Sequence, residues 1–307
     1  MILCCGEALI DMLPGCSTSG QNCFVPHPGG AVFNTARALG RLGAPSGFFT
    51  AVAADMLGDL LIGALSEAGV DTGLVARVAR PCTIAFVTLT DGKASYAFYD
   101  EHSAGRMLTV ADLPLLPKAI SSLFFGGISL VNDPAAAAYE TLLHREAGAR
   151  VIMLDPNIRP AFLDGREADY RPRIGRMIAQ ADIVKLSDED MGWLMGAGDP
   201  LDQARTLLTQ GPKLVFLTCG AKGAYAMTRQ HCRHAPAHPA AVVDTVGAGD
   251  TFNAGALCAL HEAGKLDKGA LENSDGALLD LALNFATRAA SVTVSRAGAN
   301  PPWRREI

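Results

Sequence analysis

The sequence predicts an α/β fold: a three-layer, largely parallel sheet with helices on both faces, accompanied by a small separate β-sheet. Three observations point there. From Ser121 onward, short apolar runs alternate with segments of helical periodicity, the rhythm of parallel strands joined by helices. Before that, two β-rich runs flank Asp91-Gly92-Lys93, and Asp-Gly between such runs marks a hairpin. The 307 residues are 49% apolar and 19% charged, enough to bury a large core. Neither an internal repeat nor a low-complexity linker divides the chain. It reads as one domain over 1–307, with the small sheet drawn from about 12–28 and 80–106.

Taken in order, residues 2–9 are an apolar run typical of a buried strand, ending in Asp11. Residues 17–22 are polar. Pro26 and Pro28 restrict 23–28 to a sheet edge, because proline cannot donate to a central ladder. Gly29-Gly30 leads into a helix over 34–42, where Ala38, Leu39 and Leu42 share a face. A strand follows at 47–53. Met56, Leu60, Leu61, Ala64 and Leu65 recur at helical spacing, and Gly69 ends that helix. Residues 83–90 and 95–99 are the two arms of the hairpin. Beyond it the expected strands are 123–125, 151–154, 183–185, 214–218 and 225–227. The expected helices are 135–147, 171–179, 201–210, 251–262 and 278–294. In such a sheet, ligands bind beyond the carboxyl ends of the strands.

Net charge is −5, which argues against nucleic acid or a membrane surface as the main partner. The cysteines at 4, 5, 16, 23, 82, 219, 232 and 258 form no Cys-x-x-Cys and no zinc-spaced cluster with histidine. Reduced thiols in a cytoplasm are expected. The N-terminus lacks the basic region of a signal peptide. The apolar segment 278–294 contains Asp280, Asn284 and Arg288, so it reads as a core or amphipathic helix, not a membrane span.

The densest motif is Asp244-Thr-Val-Gly-Ala-Gly-Asp250-Thr-Phe-Asn-Ala-Gly255. Gly247-Ala248-Gly249 lets the backbone turn its N–H groups toward one point, at the start of an expected helix. A helix N-terminus attracts anions, and an acid there would repel phosphate. Asp250 makes chemical sense if it takes a proton from a hydroxyl that attacks the phosphate. The plainer reading is a glycine turn opening a packed helix, with Asp250 as its N-terminal acid. In Gly29-Gly30-Ala-Val-Phe-Asn34, the glycines allow close backbone approach and Asn34 offers both donor and acceptor to hydroxyls. A loop with a helix cap is the alternative. Asp11, at an expected strand end, can accept two hydroxyl protons, or be a solvated turn acid.

Asp155-Pro-Asn157-Ile-Arg159 follows an expected strand. Arg159 suits bidentate contact with phosphate oxygens, and Asn157 suits a phosphate or a metal-bound water; a structural salt bridge would also explain Arg159. Lys185-Leu-Ser187-Asp-Glu-Asp190 follows the next strand and equally suits an acidic helix start. Thr218-Cys-Gly220-Ala-Lys-Gly223 would bring phosphates near backbone, but Lys222 lacks the following Ser or Thr of a Walker A loop. A nicotinamide enzyme needs Gly-x-Gly-x-x-Gly after the first strand, and Gly6-Glu-Ala-Leu-Ile-Asp11 is not that pattern.

Together these motifs resemble the ribokinase-like (PfkB-type) carbohydrate kinases, and among them most closely fructokinases; the resemblance runs from Gly6 to Trp303. It implies a ribokinase-like domain with a β lid, acting on a sugar with ATP and Mg²⁺. Asp250 would be the catalytic base and Gly247, Ala248 and Gly249 the anion hole, with Arg159 neutralising charge. Asp11, Gly29, Gly30, Asn34, Phe98 and Arg106 would bind sugar, although Phe98 and Arg106 equally suit core or lid hinge. Asn157, Lys185, Ser187, Thr218, Gly220, Gly223, Gly247, Gly249 and Asn284 would line the nucleotide. Ser187 and Asp190 stand where the family has an Asn-x-x-Glu element, and Asp190 would reach Mg²⁺ through water. Asp244, Val246, Thr293, Arg296 and Gly298 would hold a monovalent cation, K⁺, with Pro302 replacing a Ser that some ribokinases use. Asp55-Met-Leu-Gly58-Asp59 matches another family segment. Fructose is the expected substrate, with 2-keto-3-deoxygluconate or ribose as alternatives, and a non-catalytic sugar-binding homologue as a different class. A homodimer through the lid is expected, with neither nucleic acid nor membrane as partner.

Overall fold

Ile2, Leu3, Cys4 and Cys5 are all buried, and this run forms the first strand, β1 (Ile2–Cys5). The computed structural model describes residues 1–90, 93–163 and 165–307. After β1 come β2 (Leu9–Cys16), β3 (Asn22–Gly29), α1 (Ala31–Arg41), β4 (Ser46–Ala53), α2 (Met56–Glu67), β5 (Asp71–Val78), β6 (Thr83–Thr90) and β7 (Lys93–Tyr99). The second part holds β8 (Ser122–Gly126), α3 (Ala135–Glu146), β9 (Val151–Asp155), α4 (Pro160–Leu163), α5 (Glu167–Ile178), β10 (Ile183–Ser187), α6 (Asp188–Met195) and α7 (Pro200–Leu207). It ends with β11 (Leu214–Thr218), β12 (Ala224–Met227), β13 (Cys232–Ala235), α8 (Ala248–Glu262) and α9 (Gly276–Val294).

The large sheet has the order β13-β12-β11-β10-β9-β8-β1-β4-β5, parallel except for β12 and β13. Adjacent residues of a strand point to opposite faces, and both faces are covered. Ile2, Cys4, Phe48, Phe124 and Phe216 join one core with α1, α8 and α9. Leu3, Cys5, Phe49, Phe125 and Leu154 join the other with α3 and α5. That two-sided burial is why the strands read as unbroken apolar runs. The chain winds outward through β4 and β5 on one side of β1, and through β8 and its successors on the other. The crevice between the carboxyl ends of β1 and β8 is therefore the topological switch point, the place where sheets of this kind bind ligands.

The small sheet has the order β3-β2-β6-β7, with proline-bearing β3 at its edge. The expected Asp91-Gly92 turn lies outside the described residues. The apolar run 2–9 divides between the two sheets: Gly6-Glu7-Ala8 carries the chain from β1 into β2. Asp11 thus sits within a lid strand, not at the end of a core strand. Residues 100–106 follow the last lid strand and lie outside that sheet.

β5, β13, α4 and α6 have no counterpart in the periodicity reading. β5 is a half-exposed edge strand with Asp71, Gly73 and Arg77, so it lacks an apolar run. Arg77 pairs with Asp59 at 2.6 Å and donates to the Ala53 carbonyl, which blunts the edge. β13 is a short, mostly exposed edge strand, and α6 is only two turns long. α5 begins before Arg171 and carries Pro172 inside it; burial of Tyr170, Ile174 and Met177 outweighs the missing donor. α9 is long and apolar enough to cross a membrane, but it buries Leu279, Leu283 and Ala286, the last closely packed on Gly255 of α8.

Candidate active site

The start of α8 points into the crevice region. Gly247 precedes the helix with φ of 78°, a left-handed conformation that favours glycine. The Ala248 N–H bonds the Thr245 carbonyl at 3.3 Å and the Thr251 N–H the Gly247 carbonyl at 2.9 Å. Those of Gly249 and Asp250 have no internal acceptor among the described residues, so the donors available to an anion are narrower than the whole turn.

Asp250 is 8% exposed. Its Oδ2 accepts from Asn34 Nδ2 at 2.9 Å, and its carbonyl accepts from Thr35 Oγ1 at 3.3 Å. Burial pushes its pKa up to about 7; the Asn34 bond and the Lys185 charge pull it down, and the charges of Asp155 and Glu7 push it up. A carboxylate poised there is matched to proton abstraction at neutral pH. Asn34 Oδ1 is buried without a partner among the described residues, so an acceptor waits beside this carboxylate.

Lys185 Nζ donates to Asp155 Oδ2 at 3.0 Å, both side chains being buried. Burial opposes the ammonium charge, but Asp155, Asp190 and Asp250 outweigh it and hold the pKa above its ordinary value. A Cβ on Gly249 would stand 3.2 Å from this nitrogen, which places the cation beside the turn that opens α8. Asn253, one turn along α8 from Asp250, donates to the same Asp155 oxygen at 2.6 Å.

The loop after β9 is fixed at several points. Asn157 adopts a left-handed φ of 45°, and its N–H donates to Asp155 Oδ1 at 3.1 Å. The Ile158 N–H donates to Asp190 Oδ1 at 2.8 Å. Asp190 Oδ2 accepts from the Ser187 N–H and hydroxyl at 3.1 and 2.8 Å, while Ser187 Oγ accepts from the Asp190 N–H at 3.0 Å. Ser187 and Asp190 are thus a reciprocal cap of α6 that also holds the 155–159 loop, the acidic helix start that was the plainer reading of this segment. Arg159 is exposed, donates only to the Ile158 carbonyl at 3.1 Å, and forms no ion pair among the described residues. The salt-bridge alternative for it is absent there.

On the lid, Asp11 is half-buried, and burial pushes its pKa up to about 6. A side chain on Gly29 would overlap the Asp11 carboxylate, so the glycine is what admits this acid. Register puts Asp11, Ala85 and Phe98 in one row across the sheet. Phe98 meets Phe162 of α4 with centroids 4.1 Å apart, joining lid to body. Arg106 pairs with Asp100 at 2.8 Å, and Asp100 also accepts from Asn132 at 3.1 Å, so Arg106 is tied into the stem just after β7.

Thr218 ends β11 half-buried, Gly220 is exposed, and Gly223 lies tight against the Ala235 carbonyl of β13. Asn284 is exposed on α9. Asp244 does gather the proposed cation segments, accepting from the Val246 N–H at 3.0 Å and the Gly298 N–H at 2.9 Å. Yet the Thr293 and Gly298 carbonyls already accept from the Arg296 and Asn300 N–H groups, and the Arg296 side chain pairs with Glu306 at 2.6 Å. Each of these carbonyls accepts one of these backbone bonds and keeps a second lone pair. Asp55 caps α2 by accepting from the Leu57 and Gly58 N–H groups, a structural use of that segment.

Three residues of this network escaped the sequence reading. Asp155 carried a usable signal, an acid at the end of an apolar strand. Asn253 lay inside the strongest motif, three residues from Asp250. Glu7 carried none, because its partners are distant in sequence.

Comparison with known proteins agrees with this geometry. The chain is 51% identical over 281 residues to a fructokinase of Rhizobium leguminosarum bv. trifolii, covering 89% of this chain and 86% of that protein. The structure of a fructokinase from Xylella fastidiosa with bound ATP superposes with a TM-score of 0.87 at 29% identity, covering 97% of this chain and 93% of that one. Aminoimidazole riboside kinase from Salmonella enterica, complexed with aminoimidazole riboside and an ATP analog, superposes at 0.80 with 27% identity, covering 97% and 94%. The family description "pfkB family carbohydrate kinase" matches residues 1–305, and with it a buried acid beside a helix N-terminus finds its setting: the chain belongs to the pfkB family of carbohydrate kinases.

Proposed function

We propose that this protein transfers the γ-phosphoryl group of ATP to a primary hydroxyl of D-fructose, giving fructose 6-phosphate and ADP. The observation that carries the reading is Asp250, buried at the start of α8 between Asn34 and the Lys185 ammonium. Asp250 takes the hydroxyl proton as the sugar oxygen bonds the γ-phosphorus. The bond from that phosphorus to the β,γ-bridging oxygen breaks, and ADP leaves. The N–H groups of Gly249 and Asp250 and the α8 dipole face the charge on the transferring group, with Lys185 beside them. Arg159, which forms no ion pair among the described residues, supplies a second cation. Asp11, Asn34 Oδ1 and the Gly29-Gly30 backbone receive sugar hydroxyls.

ATP enters as its Mg²⁺ complex. Asp190, at the start of α6, would reach that ion through water. Thr218, Gly220, Gly223, Asn157 and Asn284 surround the nucleotide, and Val242 and Val243, both more than half exposed, offer apolar surface to its base. Fructose rests on the similarity to fructokinases. The 2-keto-3-deoxygluconate reading needs a cation for the substrate carboxylate, and Arg106 already has Asp100. The whole chain acts as one kinase unit with its lid, in a cytoplasm that keeps its eight cysteines as thiols.

The test is ADP release with MgATP across fructose, ribose, 2-keto-3-deoxygluconate, glucose, tagatose, adenosine and aminoimidazole riboside. Strong turnover on fructose alone is expected. Preference for another member replaces the sugar, and absence of turnover on all of them overturns the kinase reading.

A further inference from the structure

Helix α1 carries Asn34 to Asp250, yet it begins at Gly30, which has no side chain to cap it. The cap comes from Glu7, 24 residues earlier. Glu7 Oε1 accepts from the N–H groups of Ala31 and Val32, at 3.0 and 3.4 Å. Its Oε2 accepts from the Ser129 N–H at 3.3 Å. One carboxylate therefore ties the end of β1, the first turn of α1 and the segment after β8 into one unit at the switch point. The surroundings are shaped to receive it. Gly127 has φ of 66°, and any side chain there would overlap the Glu7 carboxylate. Glu7 is 8% exposed, and burial raises its pKa against the pull of these hydrogen bonds. It also lies in the link by which the large sheet feeds the lid, beside a cavity of about 30 Å³ lined by Asp100, Arg106, Ser129 and Asn132.

From this geometry we infer that Glu7 is a positioning residue for phosphoryl transfer, acting through α1: it fixes the axial position of the helix, and so holds Asn34 on Asp250 and toward the sugar. The inference rests on the reading of Asp250 as base. Glu7 itself touches neither substrate nor reacting atoms. The effect should fall on kcat and on the sugar, and leave ATP alone, because none of the proposed nucleotide contacts lies on α1.

The experiment measures kcat, both KM values and Tm for wild type, E7A, E7D, E7Q, N34A and the E7A/N34A double variant. E7D keeps the charge but withdraws it by one methylene, and carries the same comparison where E7A does not fold. E7A and E7D should lower kcat roughly ten- to a hundred-fold, the scale of a misplaced catalytic contact, with KM for ATP unchanged. E7Q, which keeps an acceptor opposite Ala31 and Val32, should recover most of that loss. On the N34A background, losing Glu7 should cost less than about two-fold more, since both act through one contact. A folded E7A or E7D with kcat within about two-fold of wild type overturns the inference, as does a Glu7 effect that multiplies in full onto N34A. Wild-type protein that turns over no sugar would instead overturn the kinase reading on which this one stands.

Discussion

As the proposed base, Asp250 would trade stability for chemistry. Its pKa in the fold, about 7, lies above the ordinary 3.8, so the folded protein binds a proton more tightly than the unfolded chain does. Stability tied to this group is full below about 4 and declines as pH rises toward 7. Asp250→Asn removes the buried charge, so it should raise Tm at pH 8 by a few degrees while lowering kcat at least roughly a thousand-fold. Calorimetry beside an ADP-release assay checks both; near-normal turnover by Asp250→Asn would remove Asp250 as base. In wild type, kcat should fall as pH drops through about 7, because the protonated acid cannot accept the hydroxyl proton. At this scale the sequence was legible where a motif is local: the acid, the glycines and the asparagines stood in the chain. Lys185 against Asp155, or Glu7 against Ala31, was not, because those partners meet only through strand order.

Elements follow local rules where caps and burial agree. Asp55 opens α2 by accepting from the Leu57 and Gly58 N–H groups at 2.9 and 3.1 Å. Asp55→Ala should destabilise the protein by about 1 kcal/mol without changing kcat, read by urea unfolding. A loss of activity at unchanged stability would instead give that segment a direct part in the reaction. Periodicity located the long helices and buried strands because two-sided burial leaves a dense apolar signal. It missed β5 and β13, since an exposed edge strand needs no apolar run, and it began α5 too late, at Arg171, because tertiary contacts outweigh the local cost of Pro172.

At the scale of the whole molecule, the small sheet presents a second face away from Asp11. Phe24, Phe86 and Tyr99 form an edge-to-face row there, with centroids 5.0 and 5.7 Å apart. Phe24 is 45% and Tyr99 60% exposed, a large aromatic area for a single chain to leave in water. We propose that a second copy covers this face. Light scattering should find a dimer, and Phe24→Ser should shift it toward monomer; a wild-type monomer at working concentration refutes the proposal. The sequence by itself determined the layered α/β class, the carbohydrate kinase family and the acid at the start of α8, because periodicity and a contiguous motif are properties of neighbours along the chain. Only the tertiary structure decided that Ser187 and Asp190 cap each other, that Arg106 is claimed by Asp100, and that Glu7 caps a helix 24 residues away. A polar side chain's task depends on which partner reaches it first in space, and that is set by strand order and burial, not by sequence distance.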